Sequence, residues 1–343
     1  MKKVDKKIVL ELLKNKHVVA VDNELKPRIR KGKEIPEEEC IRVYVKQKLP
    51  VHVLTAEEII PQKIDDIPTD IIDAGGEIVA LKKPLILEVQ EIDPTKRIRP
   101  LTAGVSIGNV AITAGTLGWF YQDKNGVKYL GSNAHVFTDG DPFKKPEEVV
   151  KKDIVQPGTY DGGKSPDDLV GHYVWHQQIQ PDTTNTFNNM DFAVSTIEVD
   201  CDFKIWQQYS PTKLVGHLFA GSNEVTVVFK GKYIANAGYS PLNAQFVEVN
   251  VGDWVEKWGR TSGHKTGQVQ STNAAVKVNY GNNRYALFDD QIITDNISAG
   301  GDSGSSVWLT NPPPAPPPSK FMQFTKYAIK LFGFQIGTIE EVP

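Results

Sequence analysis

Cysteine is scarce in this chain: Cys40 and Cys201 are the 2 cysteines among 343 residues. Small secreted scaffolds rely on several closely spaced disulfide pairs, so two isolated thiols read as free, and a reducing, cytoplasmic setting is expected. Long apolar runs are missing too. No stretch approaches the roughly 18 apolar residues that a membrane-spanning helix needs, which predicts a soluble protein. The opening MKKVDKKIVLELLKNKH is basic, but Asp5 and Glu11 interrupt it and no apolar stretch with a small-residue cleavage site follows, so no signal peptide is read. Charge of one sign is likewise lacking. With a formal net charge of -3 and basic residues scattered along the chain, neither nucleic acid nor a membrane surface is expected as a partner. No repeat of fixed period stands out.

What is present is ordinary globular material, with 40% apolar and 24% charged residues. The length exceeds the roughly 250–300 residues at which one core stops growing, which predicts more than one. Residues 1–97 have a mixed texture. A short amphipathic helix is expected at the start, a strand at Cys40–Lys46, and a second helix where Thr55 would cap Thr55-Ala56-Glu57-Glu58. This is read as a small α+β domain of unknown role that offers a surface for a regulatory partner, and its first helix is a candidate cover for a cleft. After Arg99-Pro100 short β-branched and aromatic runs alternate with turn signals such as Asp123-Lys124-Asn125-Gly126. About eleven such runs suit two barrels or sandwiches better than one. Residues 98–200 are assigned to the first and 201–343 to the second, with the crossing near Asp200–Thr212. Asn311–Pro318 is proline-rich and is expected to form a stiff polyproline II excursion in a long hairpin loop.

The sharpest local feature is Gly300-Gly301-Asp302-Ser303-Gly304-Ser305, just before an apolar strand. Acyl transfer needs a nucleophilic hydroxyl beside backbone donors aimed at a developing oxyanion, and glycines let the backbone turn those N–H groups outward. Gly301 and Ser303 are the candidate oxyanion donors. Taken alone, the hexapeptide also suits an ordinary Gly/Ser turn. A serine needs a histidine to take its proton, and the histidine needs a carboxylate to hold its tautomer. The last of the 7 histidines, His264, precedes Ser303, so the order Ser, Asp, His of the α/β-hydrolases is excluded. His135, ending a predicted strand in Leu130-Gly131-Ser132-Asn133-Ala134, and Asp191, opening Met190-Asp191-Phe192-Ala193-Val194, are the best-placed partners. Each is unremarkable alone. What marks them together is the order His, Asp, Ser, with the first two in one β unit and Ser303 in the next.

These residues resemble the trypsin/chymotrypsin-fold serine peptidases, which carry a small-Ala-His motif, an Asp-Phe-Ala-Val-like motif and Gly-Asp-Ser-Gly. The likeness runs from about Ile107 to Gly337. It looks closest to prokaryotic members without disulfides and to the plant narrow-leaf proteins, through Ser132–Val136, Gln156–Gly163 and Gly259–Gly267. The resemblance implies a mainly β protein: two packed antiparallel six-stranded β-barrels, preceded by the small α+β domain, with His135 and Asp191 on the first barrel and Ser303 on the second. It implies a serine endopeptidase acting on protein or peptide substrates, without cofactor or metal. The alternatives are a silent pseudoprotease serving as a protein-binding module and a non-proteolytic acyl hydrolase on the same barrels.

The chain departs from digestive members in having no cysteine beside His135 or Ser303 and no Ile-Val-Gly-Gly start to the β region. Asp302, which pairs with that terminus in those enzymes, must find another partner or stay solvated. Ile297, six residues before Ser303, stands where enzymes that cut after Lys or Arg carry an acid, so that specificity is not predicted. His172 and His176 have metal-ligand spacing only on a helix. Their segment alternates as a strand, which sets them roughly 13 Å apart. Cys201, between Asp200 and Asp202, lacks the electropositive surroundings of a reactive thiolate. Thr261-Ser262-Gly263 and Thr266-Gly267 are expected in a hairpin between strands of the second barrel, with a pocket-lining role as the alternative.

Overall fold

Alternation of apolar residues writes most of the strands, and the chain closes them into two rings. The computed structural model describes residues 2–30, 33–80, 93–205 and 210–311. The first ring is built from Ser106–Asn109, a bent strand through Gly115–Thr116 and Trp119–Gln122, then Lys128–Ser132, Ala193–Ser195, Leu169–His176 and Asp153–Val155, which returns to Ser106–Asn109. All of these pairings are antiparallel. The Asp123–Gly126 turn folds as expected, with the Asp123 carboxylate accepting the amides of Asn125 and Val127.

The second ring runs Lys213–Gly221, Val225–Lys230, Tyr285–Asp295, Gly263–Asn279, Trp254–Gly259, Ser306–Thr310 and back, again antiparallel throughout. The protein is therefore mainly β, with barrel-like sheets. Trp119 of the first ring meets Trp308 of the second edge to face, centroids 4.7 Å apart, inside one core that draws residues from both. Rings of this size dominate a core's apolar burial.

The first 80 residues supply the helix Lys6–Lys14 and strands at Val18–Asp22, Lys33–Val45 and Ile67–Asp73. Asp5 caps the helix by accepting the Lys7 amide, and Val9, Leu12 and Leu13 are buried. They join a cluster with Val18, Val21, Ile41, Val43, Ala275 and Leu287. Val18–Asp22 pairs with the long second-ring strand at Ala274–Val276. The helix lies against that sheet, with Lys6 bonded to Asn23 and Asp289.

Some local expectations change. Thr55–Glu58 closes one turn, with Glu58 accepting the Thr55 amide, and no helix follows because Pro61 cannot continue one. Part of the expected crossing is a strand: Cys201–Ile205 pairs in parallel with Leu101–Ala103, since its alternation sets Cys201, Phe203 and Ile205 on one face. The hairpin turn is confined to Arg260–Ser262, with Gly259 opposite Gly263. Thr266 and Gly267 are strand residues, and Gly267 is needed because a Cβ there would run into Ile297. The proline-rich run beyond Asn311 and the final predicted strand, Lys326–Ile339, lie outside the described residues.

Candidate active site

His135 follows the strand Lys128–Ser132 on a short helical turn, Ala134–Phe137, and is 4% exposed. Its Nδ1 stands 2.6 Å from Asp191 Oδ2. Asp191 is fully buried, just before the strand Ala193–Ser195. Its Oδ1 accepts the amides of Ala134 at 2.6 Å and His135 at 3.3 Å, and its Oδ2 also accepts the Tyr280 hydroxyl at 2.8 Å. Burial pushes the Asp191 carboxyl up, but the His135 charge and the hydrogen bonds from His135 and Tyr280 outweigh it and hold the group below its ordinary value. An ionised carboxylate only accepts, so the Nδ1 proton resides on His135. The Nε2 of the same ring is buried without a hydrogen-bond partner among the described residues.

Ser303 is 1% exposed and sits in a tight turn between Gly301 at φ +97 and Gly304 at φ +93. The Thr116 amide donates to Ser303 O at 2.8 Å. A Cβ on Gly304 would collide with Ser132 Oγ and Thr116 O and lie 3.3 Å from Asn133 N. The turn thus packs on the residues that lead into His135. Asp302 N donates to Ala299 O and Gly304 N to Leu218 O.

Three neighbours hold this turn and a fourth bonds Asp191, and the sequence reading missed all four. Lys257, fully buried, places Nζ 2.8 Å from Asp302 Oδ2. Asp302 also accepts the amides of Thr261, Ser262 and Ala299 and the Ser262 hydroxyl. Burial raises the Asp302 carboxyl, yet Lys257 and these donors hold it below its ordinary value. This is the partner that the sequence left open, and a charged residue inside an apolar strand was its one signal. Thr116 donates to Gly301 O at 3.0 Å and accepts the Arg260 amide at 3.0 Å. His217, stacked on Phe229, contacts Gly304 O through Nδ1 at 2.7 Å and Tyr121 Oη through Nε2. A carbonyl can only accept, so Nδ1 bears the proton and Tyr121 donates to Nε2. Burial pushes His217 down to about 4, which keeps it neutral. Tyr280 lies 89 positions from Asp191 in the chain, and no local pattern announces it.

The two further motif segments meet each other. Arg260 Nε donates to Asp161 Oδ2 at 2.8 Å while its guanidinium lies 5.2 Å from the centre of the Tyr160 ring. This links Gln156–Gly163 to the hairpin turn that Asp302 also grips. His172 and His176 are on the strand Leu169–His176. His176 bonds Tyr173 and Lys144 O, and His172 pairs with Asp153. Among the described residues no group of three or more His, Cys, Asp or Glu side chains is arranged to hold a metal ion. Cys40 and Cys201 are free, and burial pushes both thiols up to about 11.

No family model and no curated protein matches this chain. Solved structures do resemble part of it. A glutamic acid specific serine protease with a histidine triad in substrate binding shows 15% identity and TM-score 0.34, covering 68% of this chain and 98% of its own. Nocardiopsis protease gives 14% and 0.33, and Thermobifida fusca protease A gives 16% and 0.34, each covering 61% of this chain and 78% of its own. Likeness this distant says nothing of activity.

Proposed function

We propose that the chain is a serine endopeptidase whose catalytic triad is His135, Asp191 and Ser303. The observation that carries this reading is the buried 2.6 Å contact between His135 and Asp191, which leaves His135 Nε2 unpartnered while the glycine-flanked turn of Ser303 packs on the residues that lead into His135. A neutral imidazole with a held Nδ1 proton and an open Nε2 is the base that a serine hydroxyl requires.

In this mechanism His135 Nε2 takes the proton from Ser303 Oγ as it attacks the scissile carbonyl carbon. The N–H groups of Gly301 and Ser303 receive the oxyanion, each such donor being worth about 3–4 kcal/mol in comparable sites. His135 returns the proton to the departing amine, leaving an acyl-enzyme. Water, deprotonated by the same nitrogen, then releases the acid and restores Ser303. Asp191 orients the ring and offsets its charge while it carries the proton.

The test is labelling of the purified protein with a fluorophosphonate, wild type beside Ser303→Ala, with the adduct located by mass spectrometry and peptide cleavage measured in parallel. Adduct confined to Ser303 together with peptide hydrolysis is the expected result. A folded wild type that takes no label would overturn the reading in favour of a silent binding module. Label with turnover of small esters but no peptide would favour a non-proteolytic acyl hydrolase.

A further inference from the structure

The long hairpin Gly263–Asn279 and Tyr285–Asp295 carries its tip, residues 280–284, to the first ring. Tyr280 is 3% exposed there. Its ring stands edge-on to His135 at 6.0 Å and to Phe143 at 5.3 Å, and lies along Phe288. Its hydroxyl donates to Asp191 Oδ2 at 2.8 Å, the oxygen that also receives the His135 Nδ1 proton at 2.6 Å. The tip is tied down on several sides. Tyr280 N donates to Arg284 O, Asn279 N donates to Ile78 O, and Asn279 Nδ2 donates to Glu77. Arg284 pairs with Asp141 and lies over the Phe143 ring.

We infer that Tyr280 is a positioning residue of the His135–Asp191 pair, its hydroxyl sharing Asp191 Oδ2 with the imidazole and setting how much negative charge that oxygen presents to the ring. Two donors on one carboxylate oxygen divide its charge, and what the phenol draws is withheld from the imidazolium. Burial beside Asp191 keeps the phenol protonated, so it donates across the whole working range. The other groups facing the pair are fixed by partners of their own. His176, on the strand Leu169–His176, is held neutral by burial and bonded to Tyr173 and Lys144 O. Asp139 pairs with Lys144, and Asp141 with Arg284. Tyr280 is a side-chain donor from the second-ring hairpin that reaches Asp191, and it ties the acid–base pair to that hairpin.

The kinetic part of this inference rests on the peptidase reading; the spectroscopic part does not. In Tyr280→Phe the ring contacts remain and only the hydroxyl is lost. The low-field proton resonance between His135 Nδ1 and Asp191 should move downfield. The acid limb of the pH–rate profile should move to higher pH by roughly half to one unit, because the charged ring gains the share of the carboxylate that the phenol gave up. Replacing Tyr280 with 3-fluorotyrosine keeps the shape and strengthens the donor, so both readouts should move the opposite way, which a purely structural role would not produce. A resonance and a limb that stay in place in folded protein of both variants would overturn the inference. A resonance that moves as expected in a protein whose Ser303 takes no fluorophosphonate would sink the peptidase reading and leave Tyr280 in its role.

Discussion

Replacing Lys257 by methionine removes one charge from a pair in which both side chains are fully buried. Methionine fills similar volume, so the cost falls on Asp302, which keeps the amides of Thr261, Ser262 and Ala299 but loses its countercharge. Breaking a buried pair from one side costs about 3–5 kcal/mol, and the remaining donors place this case near the lower end, about 3 kcal/mol. The pH dependence fixes the cause. In the wild type the Asp302 carboxyl is held below its ordinary value, so its contribution is present above an unfolded value of about 3.9 and is lost only as pH falls through the lower folded value. Without Lys257 burial acts nearly unopposed and the carboxyl rises, so the penalty is full at neutral pH and fades as pH falls toward about 4, where the unfolded chain also takes up the proton. Urea unfolding followed by tryptophan fluorescence at pH 7 and pH 4 reads both features. A loss under about 1 kcal/mol at pH 7, or an equal loss at the two pH values, would refute the argument that this ion pair holds the turn.

Other expectations follow from the same contacts. Ser303→Ala should lower kcat on the order of a millionfold with an unchanged melting temperature, since the side chain it removes is small. Gly304→Ala should destabilise by more than about 2 kcal/mol, from positive-φ strain combined with the collision against Ser132 and Thr116, as chemical denaturation would show. His217→Phe keeps the stacking on Phe229 but strips the Gly304 carbonyl and the Tyr121 hydroxyl of a partner, and should cost about 1–3 kcal/mol. Removing residues 1–80 would bare the strand edge at Ala274–Val276 and the apolar residues around Leu287. The shortened chain should therefore aggregate or melt earlier instead of gaining activity, as light scattering against temperature would reveal.

Alternating apolar residues and turn chemistry were enough to read most strands of both rings, because a half-buried strand announces itself locally with period two, but Ser106–Asn109 and Asp153–Val155 of the first ring were not read. Gly300–Ser305 was legible for the same reason: a glycine-flanked serine is a local signal. The pairing of His135 with Asp191 could be argued only from chain order, and the fold supplies the contact. Lys257, His217, Thr116 and Tyr280 were not legible as parts of the site. Each acts on a residue 45 to 185 positions away, and a side chain's sequence neighbours carry no trace of a partner that only ring closure brings near. The N-terminal strand Val18–Asp22 shows the same limit. It was not read as a strand, and that its edge is covered by Ala274–Val276 is settled by long-range pairing, where hydrogen-bond register and apolar burial are satisfied together. The sequence by itself determined most of the strands of the two rings, the glycine turn and the candidate chemistry. Only the tertiary structure decided which buried charges are neutralised, and by whom, because burial makes an unpaired charge too costly to leave and the partner need only be close in space.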